Sequence, residues 1–173
     1  MNRAAPRLGE PASLWRMRIV PIASVMVASA LPLMLPIVAS SPALPPLGLL
    51  FFLCWQLLRT EMWPVWIGLP LGLWDDLFSG APIGSAVALW TAASIAIHYI
   101  SQRIYWRGFF HDWGIAALLV AAVQAAAALI AHPGSPPGRL LGLVAPQIVI
   151  SMLLVPLFLR LTGQFDNFRL KRR

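Results

Sequence analysis

Residues 19 to 58 contain no Lys, Arg, Asp or Glu, an uncharged run of 40 residues. A bilayer-spanning helix needs about 20 predominantly apolar residues, so the run is twice too long for one span. The segment Ser40-Ser41-Pro42-Ala43-Leu44-Pro45-Pro46 divides it. Its prolines lack an N–H and favour a turn or a helix start. The division predicts helix 1 over 19–39 and helix 2 over 45–58. Further along, the pattern predicts helix 3 over 64–78, helix 4 over 83–101, helix 5 over 113–131 and helix 6 over 140–161. The breaker His132-Pro133-Gly134-Ser135-Pro136-Pro137-Gly138 separates the last two. The expected architecture is an all-α membrane protein, a bundle of six transmembrane helices. A cytoplasmic tail over 1–18 precedes a transmembrane domain over 19–162, and a basic tail over 163–173 follows it.

Composition fits this division. Of 173 residues 59% are hydrophobic and 11% are charged, against about 25% charged in soluble domains. The net charge of +7 does not point to nucleic acid, because the basic residues lie at the two ends and between the apolar runs. With six spans both termini face one side. That side would hold 12 of the 13 Lys and Arg, and the other only Arg139. The positive-inside rule therefore places both ends in the cytoplasm. The sole cysteine, Cys54, lies in an apolar run and founds no disulfide or thiolate site. Cleavage after Ala28-Ser29-Ala30 is the competing reading of the N-terminal segment, which would leave five helices.

Lipid does not drive helices together, so close packing depends on small residues. Helix 4 carries Gly84, Ala88, Ala92 and Ala96 at intervals of four, helix 5 carries Ala117, Ala121 and Ala125, and helix 3 carries Gly68 and Gly72. Each stripe is expected to face a neighbour. Prolines fall inside the predicted spans at Pro21, Pro32, Pro36, Pro70, Pro146 and Pro156, where each interior one frees a carbonyl four residues earlier. Trp15, Trp63, Tyr105, Trp106 and Trp113 fall near predicted interfaces, as in an aromatic belt.

The sharpest polar feature is Gly72-Leu73-Trp74-Asp75-Asp76-Leu77-Phe78-Ser79-Gly80-Ala81-Pro82-Ile83-Gly84. A carboxylate at the bilayer centre costs about 2.5–3.5 kcal/mol on insertion scales, so two adjacent ones ask for a reason. Gly68, Gly72, Asp76 and Gly80 recur every four residues and share one helix face. Asp76 is thus expected toward other helices, and Asp75, about 100° around, toward water or the interface. Asp76 is placed to cap the N–H groups that open helix 4, at the positive end of its dipole. Three roles stay open: a structural tie, a site for a ligand, ion or partner, and catalysis. Metal-binding aspartate motifs of prenyl-transferring enzymes want a further Asp at position 79, where this chain has Ser79. No Ser/His/Asp set, zinc motif or glycine-rich phosphate loop is present. No enzyme activity, cofactor or metal is therefore expected. Gln56, His98, Gln124 and Gln147 are the other polar residues within spans, and Gln124 is expected to bond across helices.

In this core, from Leu57-Leu58-Arg59 through Trp63-Pro64 to Gly72-Leu73, Asp76, Gly80, Pro82 and Gly84, the chain resembles the MreD family of bacterial rod shape-determining membrane proteins. The family pattern is Gly-Leu, one Asp, then Gly-x-Pro-x-Gly leading into a helix. Asp76 matches the family aspartate, and Asp75 stands where an apolar residue is usual. The resemblance implies a cytoplasmic-membrane protein without catalytic activity, working in lateral wall elongation. Its implied partners are the scaffold MreC and, through it, MreB filaments, RodA and the elongation transpeptidase, besides membrane lipid. Together with Gly68, which the four-residue spacing adds, Gly72, Asp76, Gly80, Pro82 and Gly84 are expected to form a structural or partner-binding motif. The resemblance also implies a fold similar to the substrate-binding subunits of energy-coupling-factor vitamin transporters. A small-molecule binding subunit is accordingly the rival expectation, and it requires a polar pocket in the outer half of the bundle.

Overall fold

The computed structural model describes residues 14–34, 44–103 and 108–170. Over these residues the chain forms six α-helices and one 3-10 turn, with no strand among the described residues. The helices are α1 (Leu14–Met34), α2 (Leu47–Leu58), α3 (Gly68–Ser79), α4 (Ser85–Arg103), α5 (Phe109–Ala131) and α6 (Pro137–Leu170), and Val65–Ile67 form the turn that leads into α3. The predicted end of helix 1, residues 35–39 with Pro36, lies outside the described residues, as do Tyr105, Trp106 and the side chain of Trp15.

The centre of the bundle is α2. Nine of its twelve residues are buried, because α1, α4, α5 and α6 all pack against it. At 1.5 Å per residue it is about 18 Å long, short of a bilayer's hydrocarbon core. Its apolar character therefore fills an interior: Phe52 and Trp55 are fully enclosed, and Phe52 meets Trp63 and Trp90 at ring-centroid distances of 5.8 and 4.8 Å. Trp63, read from the sequence as an interfacial residue, is thus a core residue, because the chain folds back after α2 and lays its ring on Phe52.

The helices α5 and α6 are each long and apolar enough to cross a membrane. Only 28% of the apolar window of α5 and 17% of that of α6 is buried within the chain, so their apolar surface is not spent on the core. Leu118, Leu143 and Leu153 are each about two-thirds exposed. Two prolines lie inside α6, Pro146 and Pro156. The carbonyl that Pro156 frees is that of Met152, and the Trp113 indole N–H of α5 donates to it at 3.2 Å. Pro70 sits in the first turn of α3, where a missing N–H deprives the helix of nothing.

Within the chain, the alanine stripe expected to pack on a neighbour does not face the interior of the bundle. Ala88 and Ala92 are exposed and Ala96 is half-buried, while Ala86, Trp90, Ala93, Ser94 and Ile97 face the interior. The reason lies in how α3 meets α4. A Cβ on Gly68 would stand 2.7 Å from the Thr91 backbone nitrogen, and one on Gly72 2.7 Å from the Ala86 carbonyl oxygen. The two glycines bring backbone against backbone on the Ala86–Thr91 side, which turns the alanine stripe outward.

Helix 6 also runs further than predicted. It continues to Leu170, so residues 163–170 are not a detached tail. Asp166 and Arg169 are buried against the end of α2. The Arg59 guanidinium meets Asp166 Oδ2 at 3.0 Å, and Arg169 Nε meets Oδ1 at 2.6 Å. The Arg169 guanidinium also lies 5.2 Å from the Trp55 ring centroid.

Candidate functional site

Asp76 sits near the end of α3 and is 3% exposed. Beyond it, Gly80 adopts φ +66° and Gly84 φ +97°, left-handed conformations that side chains with a Cβ rarely take. Between them Pro82 fixes its own φ, and its carbonyl accepts the Ser85 N–H at 3.0 Å. The chain thereby reverses within a few residues and aims the start of α4 at the Asp76 carboxylate.

Four donors converge there. The Gly84 and Val87 N–H groups donate to Oδ2 at 2.8 and 3.3 Å. The Ala86 N–H and the Ser85 hydroxyl donate to Oδ1 at 2.9 and 3.2 Å. The first N–H groups of a helix have no intrahelical partner, and a carboxylate facing them also meets the positive end of the dipole. Asp76 thus caps α4 from another helix, and Gly68 and Gly72 allow the approach that makes this possible. The six motif residues Gly68, Gly72, Asp76, Gly80, Pro82 and Gly84 form one hairpin built on one buried charge. Both carboxylate oxygens are engaged in it, which leaves little capacity for a metal or a reacting group. Among the described residues no three His, Cys, Asp or Glu side chains gather where an ion would need them.

Asp75 occupies different surroundings. It is half-buried and lies on the wall of a cavity of about 480 Å3. The Ser29 hydroxyl of α1 lies beside it but falls short of hydrogen-bond geometry, since that hydroxyl is buried without a partner. The sequence reading sent Asp75 to water or the interface; the structure gives it a partly enclosed space instead. The cavity lies between the starts of α2, α4 and α6 and the ends of α3 and α5. That end carries the α3–α4 and α5–α6 turns and is opposite to the Arg59–Asp166–Arg169 cluster. Its walls are mostly apolar, with Trp90, Leu89 and Val144 among them, and Arg139 and His132 stand exposed at its rim.

Two glutamines of α5 and α6 make long-range bonds near the cavity. Gln124 Nε2 of α5 donates to Ser151 Oγ of α6 at 2.8 Å, the cross-helix bond that its position predicts. Gln147 Nε2 donates to the Leu44 carbonyl at 2.6 Å. Deeper in the bundle Gln56 Nε2 donates to Ser94 Oγ at 2.9 Å. His98 is exposed and pairs with Gln102 on its own helix.

Sequence reasoning missed the cavity and the Arg59–Asp166–Arg169 cluster. The cluster left a signal: an acid three residues before an arginine near a chain end, with another arginine closing α2. The cavity left none, because its walls come from five helices. In comparisons with known proteins, no family model matches the chain, and neither does any curated protein or solved structure.

Proposed function

We propose that the chain is a non-enzymatic, multi-pass component of the bacterial cytoplasmic membrane, acting as an assembly partner in the cell-elongation complex. On this reading all six helices lie in the membrane with both termini cytoplasmic, in a bundle like that of energy-coupling-factor binding subunits. The contacts would be made with an MreC-type scaffold, and through it with MreB, RodA and the elongation transpeptidase. The observation that carries the reading is the motif resembling the MreD family. Its residues are spent on one another in the Asp76-capped hairpin, as suits an architectural element rather than a reaction centre. Further support comes from the exposed apolar faces of α5 and α6 and from the 12-to-1 partition of basic residues. Depleting the protein in its native host tests the proposal. Rod cells should round up and incorporate wall precursor without lateral bias. Unchanged width and unchanged incorporation would contradict it.

The cavity favours a second reading, a small-molecule binding subunit of a transporter. On the proposed orientation it lies at the outward end, where such a subunit would take its substrate. Loss of uptake of one solute on depletion, with normal cell shape, would select this reading over the first.

A further inference from the structure

We infer that the cavity between α2, α3, α4, α5 and α6 is a binding site for a small amphiphilic amine: its protonated nitrogen meets Asp75 and its apolar body lies against Trp90 and Leu89. This site stands apart from the elongation reading, since an assembly partner and a transport subunit could each hold such a ligand.

The volume of about 480 Å3 falls within the range of drug-sized ligand sites, which combine apolar walls with a few placed polar groups. Asp75 is an acceptor on the wall, and no Lys or Arg among the described residues forms an ion pair with it. Gln124 lies on the wall and is 6% exposed. Its amide nitrogen is taken by Ser151 and its Oε1 is enclosed by protein, so Asp75 is the acceptor left to select the ligand. An acidic group without a cationic partner on an otherwise apolar wall asks for a ligand that brings N–H groups and positive charge.

The arginine at the rim does not reverse this preference. Arg139 is exposed, so water and salt screen it, whereas Asp75 is half-buried against apolar walls, where charge interactions are stronger. Asp75 therefore dominates the selectivity inside, and Arg139 acts at the mouth. The adjacent Asp76 does not compete for the cation, because its two oxygens already accept four donors. The two neighbouring carboxylates thus divide their work: one closes the hairpin and the other serves the cavity.

The test uses the full chain in nanodiscs of zwitterionic lipid, with tryptamine as the probe and indole-3-propionate as its carboxylate counterpart. Binding is read by equilibrium dialysis against empty nanodiscs. Tryptamine should bind saturably, with indole-3-propionate at least about tenfold weaker, the scale of one charge-assisted hydrogen bond. Asp75→Asn should weaken tryptamine by about tenfold or more on the same grounds. Leu89→Trp, on a different helix, should fill the space and abolish binding. Each variant is used only if it elutes as the same monodisperse species as the parent chain. Absence of saturable binding, a preference for the carboxylate probe, or an affinity unchanged by Asp75→Asn would each overturn the inference.

Discussion

At Asp76 four donors meet one carboxylate in a site that water barely reaches. Removing it strands the Ala86 and Ser85 donors inside the protein, and leaving a buried polar group unsatisfied costs about 1–3 kcal/mol each. Asp76→Ala is therefore expected to lower the thermal midpoint and the membrane level several-fold more than Asp75→Ala. Asp75 holds no helix end, so its replacement changes what the cavity accepts rather than whether the hairpin closes. Paired melting curves and immunoblots of the two variants check this, and equal behaviour would refute the division of roles. The spacing of Gly68, Gly72, Asp76 and Gly80 already placed Asp76 toward other helices, because a four-residue repeat defines one helix face. The same periodicity could not describe the surroundings of Asp75, since its neighbours come from helices distant in sequence.

Among the elements, the contact of α3 with α4 rests on backbone proximity. Gly72→Ala would set a methyl group 2.7 Å from the Ala86 carbonyl, and overpacking of this kind costs about 1–3 kcal/mol. The variant should melt lower than the parent, while Ala92→Leu, on the exposed side of α4, should leave the unfolding free energy within about 0.5 kcal/mol of the parent's. Among the described residues, Pro45–Pro46 and His132–Pro136 stand at element boundaries, because proline and glycine act locally. The facing of α4 was not legible in the same way. Alanines at intervals of four record only a smooth surface, and which surface turns inward is set by Gly68, Gly72 and Asp76 on another helix. A parallel limit applied to the end of α6. Its charges read as a basic tail, but Asp166 pairs with both Arg169 and Arg59. Asp166→Ala removes the acceptor that Arg59 and the buried Arg169 share and should destabilise the fold by about 3–5 kcal/mol. Arg59→Ala should do less, because that side chain is 48% exposed. Denaturation of the two variants in detergent would rank them.

For the whole molecule, the ends of the bundle differ in kind. One end is closed by the Arg59–Asp166–Arg169 cluster. The other holds the cavity, rimmed by Arg139 and His132. Under the six-span reading the first end faces the cytoplasm and the second faces outward. A membrane-impermeant thiol reagent on intact cells should therefore label a cysteine placed at Ser135 and spare one placed at Gln164. The reverse pattern would invert the orientation. The all-helical class was legible from the uncharged runs, because hydropathy integrates over whole segments. Partner choice was not, since recognition between apolar helix faces leaves no polar motif to read. The decisive measurement is affinity purification of the tagged protein from native membranes in mild detergent, with mass spectrometry of what accompanies it. Recovery of an MreC-type scaffold with the elongation synthase pair, lost in Asp76→Ala and kept in Asp75→Ala, is the predicted result. Recovery of a transport ATPase module without any elongation protein would contradict the proposed role.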